Sequence, residues 1–403
     1  MRRFLIPTIS ILVASAAWGQ PCDPLAPQVS LYDLGAGTYK TFQGGLYPGG
    51  GNARPVEHDA AGRAIANAIQ PINTNGVNDP NGRIVLISIG ISNMTHEWRV
   101  GANNDPSSAA LAFTAKVAPL QASGVVNQRV LVVDGAKGPF GADLWGAEPP
   151  NLSTDPWLHA ITRLQFSQSS REQVQIACVK AAHPGPTTCI ADDGSTLGDA
   201  GLLSQHFAGI ARNLKIVFPN IKLVYFVSRS YGGYASSGNR EPFAYEQGFG
   251  VKWAIESQIA ANNAYGSLDY QGPFAVAPWM SWGPYIWANG TTPNGLGMTW
   301  DVTDFVADHI HPSASGVDKA STAFLNFFLA DATTRPWFGW QCLHGDMDGN
   351  GVMNGNDISG FVAAILSPTS VAVSFQCRAD ANNDGVVTDL DIPAFATLLL
   401  TAP

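Results

Sequence analysis

The run Asp308-His309-Ile310-His311-Pro312 places an aspartate three residues before a histidine, so one short turn can aim both side chains at the same point. A histidine held this way accepts a proton from a hydroxyl while the carboxylate fixes its tautomer, which is the chemistry of acyl transfer through a serine. Two other readings of the run stay open. Asp308 can simply satisfy the turn, or Asp308, His309 and His311 can bind a metal. The serine in question is Ser92, in Gly90-Ile91-Ser92-Asn93 directly after the apolar run Arg83–Ile89, where capping a helix is the plainer role. A glycine-bearing turn, Asp134-Gly135-Ala136-Lys137-Gly138, follows the apolar run Arg129–Val133. A glycine amide there can face an oxyanion, or the glycines only relieve crowding.

Near the C-terminus the residue types change to hard oxygen donors. Asp346, Asp348, Asn350 and Asp357 occupy positions 1, 3, 5 and 12 of a twelve-residue loop, with Gly351 at position 6 and the Val352 carbonyl at position 7. The pattern recurs 34 residues on, as Asp380, Asn382, Asp384, Gly385, Val386 and Asp391. Calcium takes 6–8 oxygens in loops of this kind, a backbone carbonyl at position 7 among them. One such loop alone reads equally well as a polar turn. Here each loop is followed by a helical run with apolar residues at matching offsets: Ile358, Phe361, Val362, Ile365 and Leu366, then Ile392, Phe395, Ala396, Leu399 and Leu400. Two structural calcium sites are expected.

The elements that must position the first group are apolar runs of strand length: Arg83–Ile89, Arg129–Val133, Val174–Val179 and Lys222–Ser228. Helical stretches alternate with them: Ala109–Lys116, Pro156–Phe166, Leu202–Val217, Pro242–Asn262 and Ala314–Leu329. Strands without polar alternation, separated by helices, predict a parallel sheet covered on both faces, with its chemistry beyond the strands' carboxyl ends. Residues 20–340 form this α/β unit, and 341–403 form a small all-α calcium-loop domain.

The chain has 403 residues, 45% hydrophobic, which supports a full core and excludes a disordered or coiled-coil protein. Charged residues make up 13%, about half the usual ~25%, and the net charge of −9 comes without a Lys/Arg block, against nucleic acid as a partner. Arg2 and Arg3, the apolar run Phe4–Val13 and small residues up to Gly19 read as a secretory signal over residues 1–19. Gln20-Pro21 before Cys22 is the wrong context for lipidation, and no other stretch reaches about 18 uninterrupted apolar residues. The mature chain is expected to be secreted, whether extracellular, at the cell surface or periplasmic, with no membrane span. Of its five cysteines, Cys178 with Cys189 would close a short loop, Cys342 with Cys377 would clip the C-terminal segment, and Cys22 would be left over. Connectivity is not legible in spacing.

Ser92 after the first strand, the Gly138 turn after the second and Asp308-x-x-His311-Pro312 near the end together resemble the SGNH (GDSL-like) hydrolases, over roughly residues 80–330. The resemblance implies a three-layer α/β/α flavodoxin-like fold. It makes Ser92 the nucleophile, His311 the base, Asp308 its orienting partner, and Gly138 and the Ser92 amide the oxyanion donors, with no catalytic metal. The family's Gly-Asp-Ser is Gly90-Ile91-Ser92 here, and its Gly-x-Asn-Asp block has no counterpart. His183 either replaces that oxyanion asparagine or leaves the donor missing. The C-terminal loops, with Asp at position 12, resemble a type I dockerin, implying calcium and a cohesin-like partner. Gly355-Asn356 and Asp389-Leu390 replace that family's Ser/Thr recognition pair.

Two segments can line the cleft. Arg229 and Tyr231 follow the fourth apolar run, where substrate contact competes with a capped turn and a core tyrosine. Pro278–Trp287 is dense in aromatics, for which burial is favoured over sugar stacking. The expectation is a secreted serine esterase acting on an acylated carbohydrate. The competing class is a non-catalytic carbohydrate-binding or surface-attachment protein on the same fold.

Overall fold

Five apolar runs, rich in β-branched and aromatic residues, pair into one parallel sheet: β1 (Ile84–Gly90), β2 (Val130–Asp134), β3 (Val174–Lys180), β4 (Leu223–Phe226) and β5 (Trp279–Trp282). The computed structural model describes residues 22, 28–99, 108–236, 238, 240–339, 344–348, 353–367, 376, 378–382, 384 and 386–401. The spatial order is β2-β1-β3-β4-β5. Every residue of β1, β3, β4 and β5 is buried, as expected of a sheet covered on both faces.

The longer helices among the described residues that cover it are α1 (Val56–Asn67), α2 (Ser92–Trp98), α3 (Phe113–Ala122), α4 (Trp157–Phe166), α5 (Gly198–Val217), α6 (Phe243–Ala260) and α7 (Ala314–Ala330). On one face, Ile87, Val133, Ala177 and Phe226 pack with Leu164 of α4, Phe207 and Leu214 of α5 and Phe249 of α6. On the other, Leu86, Cys178 and Tyr225 pack with Ala66 of α1, Trp98 of α2, Phe113 of α3 and Phe324 and Phe328 of α7. The strand order runs outward in opposite directions from β1 and β3. That leaves a crevice beyond their carboxyl ends.

Several elements differ from the sequence expectation. The aromatic run contains a fifth strand, β5, paired with β4 from Leu223↔Trp279 to Phe226↔Trp282. Trp279, Trp282 and Trp287 are all buried, in line with the burial favoured for that run. The helix expected at Ala109–Lys116 instead begins at Phe113 and runs to Ala122, through Pro119. Cys189 pairs with Cys22, not with Cys178. Cys178 sits mid-strand between Ser88 and Tyr225 with its thiol sealed in the core, so it cannot reach a surface loop. Residues 1–19, Cys342 and Cys377 lie outside the described residues.

In the C-terminal segment, α8 (Ile358–Leu366) and α9 (Asp391–Thr401) follow the two oxygen-rich loops. Phe361 and Phe395, at matching positions of the repeat, stack with ring centroids 3.8 Å apart. Among the described residues, no helix is long and apolar enough to cross a membrane.

Candidate active site

At the end of β1 the backbone must turn sharply against β3. Gly90 has φ 141°, and a Cβ there would lie 2.0 Å from the Lys180 carbonyl oxygen, so no other residue fits. Ile91 is the N-cap, and Ser92 is the first residue of α2 and not its cap. The Ser92 amide therefore belongs to the first helical turn, whose N–H groups have no intrahelical acceptor. Its hydroxyl lies 2.7 Å from His311 Nε2. On the far side of the ring, Nδ1 is 2.6 Å from Asp308 Oδ2. Asp308 Oδ1 accepts the backbone amides of Ile310 at 2.8 Å and His311 at 2.9 Å. Partial burial pushes the Asp308 carboxyl up, but the bonds from His311 and the two amides outweigh it and hold the group below its ordinary value. An ionised acceptor at Nδ1 leaves Nε2 free to accept the Ser92 proton.

Gly138 lies directly against this serine. A Cβ at Gly138 would be 2.7 Å from Ser92 Cβ, so glycine is required for close approach. Its amide donates to no acceptor among the described residues. His183, the other expected donor, lies three residues beyond the end of β3. Its ring stacks on His206 at 6.0 Å, and its Nδ1 is buried without a partner. A second imidazole beside His311 is His96, one turn beyond Ser92 on α2, its ring centred 5.1 Å from the His311 ring. Burial, then the charge of His311, pulls His96 down to about 4, so it is a neutral imidazole at working pH. Its Nδ1 is buried and unbonded. The i, i+4 spacing to Ser92 was the available signal, but it becomes informative only once α2 is known to start at Ser92.

With only seven residues, α2 is too short to be stable alone, and side chains fasten it to every neighbouring turn. Asn93 Nδ2 donates to the Ile310 carbonyl at 2.8 Å, and Thr95 Oγ1 donates to the Ala136 carbonyl at 3.0 Å. Glu97 takes the Lys180 ammonium on both oxygens, at 2.5 and 2.7 Å. Arg99 Nε donates to Asp134 Oδ2 at 3.0 Å. The helix that begins at Ser92 is thus tied to the histidine turn, the glycine turn and the ends of β3 and β2.

Arg229 is buried, not displayed in a cleft. It shares the interior with Glu97 and Glu241, and its Nε and Nη1 have no described partner. Burial draws its guanidinium down to about 10 against the pull of both carboxylates. Tyr231 is half-buried in an edge-on pair with Tyr234 at 5.1 Å. His309 has φ 56° and turns its Nδ1 to the Tyr234 carbonyl at 3.1 Å, away from Asp308. That orientation weighs against a shared metal at Asp308, His309 and His311.

In the first C-terminal loop, carboxylate oxygens of Asp346, Asp348 and Asp357 lie within 4.8 Å of one another, a donor set suited to a hard cation. Asp357 also accepts the amides of Asp348 at 3.1 Å and Asn354 at 2.9 Å. Asp391 repeats both bonds in the second loop, from Asn382 at 3.1 Å and Thr388 at 2.8 Å. There the Asn382 side chain pairs with Asp384, whose amide donates to Asp380. Asn350 and Val352 lie outside the described residues, and Val386 is exposed. The sequence matches no family model and none of the curated proteins.

Proposed function

We propose that this chain is an exported serine ester hydrolase of the SGNH type, cleaving acyl groups from a carbohydrate and carrying a calcium-binding, dockerin-like tail. The observation that carries the reading is the unbroken relay from Ser92 Oγ through the His311 ring to Asp308, with Gly138 packed directly against Ser92. The strand order β2-β1-β3-β4-β5 supports it, being the flavodoxin-like order on which SGNH hydrolases are built, with Ser92 at the point where the order reverses.

Ser92 Oγ attacks the acyl carbonyl as its proton passes to His311 Nε2. The two amides take the developing oxyanion, and Asp308 stabilises the imidazolium. The sugar hydroxyl leaves with the proton from His311. Water, deprotonated by the same ring, then releases the acid and restores Ser92. Asp346, Asp348, Asn350, Asp357 and the Val352 carbonyl would hold one calcium ion. Asp380, Asn382, Asp384, Asp391 and the Val386 carbonyl would hold a second, rigidifying a tail that docks on a cohesin-like partner.

A serine-reactive fluorophosphonate should label the wild-type chain and not Ser92→Ala, and hydrolysis of p-nitrophenyl acetate should fall in step with labelling. A chain that neither labels nor hydrolyses, yet retains affinity for acetylated polysaccharide, would be a non-catalytic binding protein.

A further inference from the structure

Beside the edge strand β5 lies a cavity of about 880 Å³ that contains none of the catalytic residues proposed above. It is bounded by the start of α1, the outer face of α7 and the loops at 283–285 and 296–299. Its volume lies within the range of small-molecule sites, ~300–1,000 Å³. The charges lining it cancel. Arg54, Arg63 and Lys319 face Asp59, Asp318 and Asp331.

Most of that charge is already paired, within the wall or just behind it. Arg54 bonds Asp59 at 2.7 Å and Asp331 at 2.9 and 3.1 Å, and Lys319 bonds Asp304 at 2.5 Å. An anion entering here would meet three carboxylates, and a cation would meet three bases. A wholly apolar ligand fits no better, because the Tyr32 hydroxyl and the Asn326 amide bond no described group and would be stripped of water. Between these polar groups run apolar surfaces from Leu296, Met298 and Phe327. Fixed donors and acceptors of balanced charge, interleaved with apolar patches, match a ligand with a hydroxylated rim and C–H faces.

We propose that this cavity is a second binding site, for a short stretch of neutral glycan chain. It does not depend on Ser92 being a nucleophile. Neutral oligosaccharides of the cello-, xylo- and manno- series should be titrated by calorimetry into the full chain with calcium present. One series should bind, with an affinity unchanged in 0.5 M salt and unchanged in Ser92→Ala. Ala323→Trp, which fills the cavity from α7, should weaken binding at least tenfold while leaving p-nitrophenyl acetate hydrolysis intact. Asn326→Ala, at an exposed position that folding tolerates, should weaken it several-fold. Binding of none of the three series would overturn the proposal. So would binding indifferent to both variants, or a preference for an acidic oligosaccharide that salt abolishes.

Discussion

Asp308→Asn tests the proposed relay more sharply than removal of the Ser92 hydroxyl, because it keeps the shape of every side chain in the site. The wild-type carboxylate accepts three protons, from His311 Nδ1 and from the amides of Ile310 and His311. If the new amide oxygen keeps the two backbone bonds, its NH₂ group must face Nδ1. The imidazole proton then moves to Nε2, which can no longer accept from Ser92. Flipping the amide restores the tautomer but gives up two hydrogen bonds, each worth about 1 kcal/mol net. The lost negative charge beside the imidazolium adds about 1–2 kcal/mol, the low end of the range, because the Asp308 side chain is 44% exposed and screened by water. The sum, about 3–4 kcal/mol, lowers kcat by on the order of 10²–10³. Ser92→Ala and His311→Ala should each lose on the order of 10⁴–10⁶, and the double variant little more. Steady-state hydrolysis of p-nitrophenyl acetate reads all four, with KM nearly constant in Asp308→Asn. A kcat within about twofold of wild type in Asp308→Asn would refute the tautomer argument. So would a His309→Ala variant that fell as far as His311→Ala, since His309 bonds the Tyr234 carbonyl instead of Asp308.

Four further outcomes follow from the structure. His96→Phe should keep the ring contact with His311 and His96→Gln should keep a polar group, so activity retained in one and lost in the other separates packing from hydrogen bonding at that ring. Lys180→Met strands the fully buried Glu97 carboxylate and should cost about 3–5 kcal/mol in urea denaturation, whereas Lys180→Met/Glu97→Met should cost less than that single change. Glu246, raised by burial from 4.5 to about 7 against the Ile190 amide and Lys40, keeps its proton longer when folded. Its contribution is therefore fullest below pH 4.5 and is lost as pH rises through 7. The stability of wild type relative to Glu246→Gln should accordingly fall by about 3 kcal/mol between pH 4.5 and 8, and a flat difference would count against the shift. Calcium at 100 times its dissociation constant should stabilise the C-terminal helices by about 2.7 kcal/mol per ion over chelator, read as helical circular dichroism on heating, and identical melts would remove the ions from α8 and α9.

The four long apolar runs were legible as strands because a sheet covered on both faces needs unbroken hydrophobic sequence. β5 was not, since four residues, Trp279–Trp282, are too few to show a period, and their tryptophans suit a strand, a helix or a surface. Ser92 and His311 could be picked out for local reasons: a glycine-dependent turn for one, a three-residue spacing to a carboxylate for the other. The carboxylates that converge in the first C-terminal loop, Asp346, Asp348 and Asp357, could be picked out for the same reason, their positions being fixed within twelve residues. His183 rests on position after β3 alone, with no local constraint on where its ring points. The pairing of Cys22 with Cys189 spans 167 residues, a separation over which spacing says nothing.

What stayed hidden has a common cause. Glu97 in sequence looks like the solvent face of a helix, and Lys180 looks like the charged end of a strand. Each is buried because the other neutralises it across 83 residues of chain. Asn93, Thr95 and Arg99 find partners 217, 41 and 35 residues away. These bonds decide whether Ser92 meets His311, because a seven-residue helix has too few internal hydrogen bonds to fix its own position. The residues that would carry out the chemistry are thus selected by short-range rules, while the geometry that makes them effective is set at long range. Changes to α2 should therefore act chiefly on kcat through alignment, even where they touch neither Ser92 nor substrate.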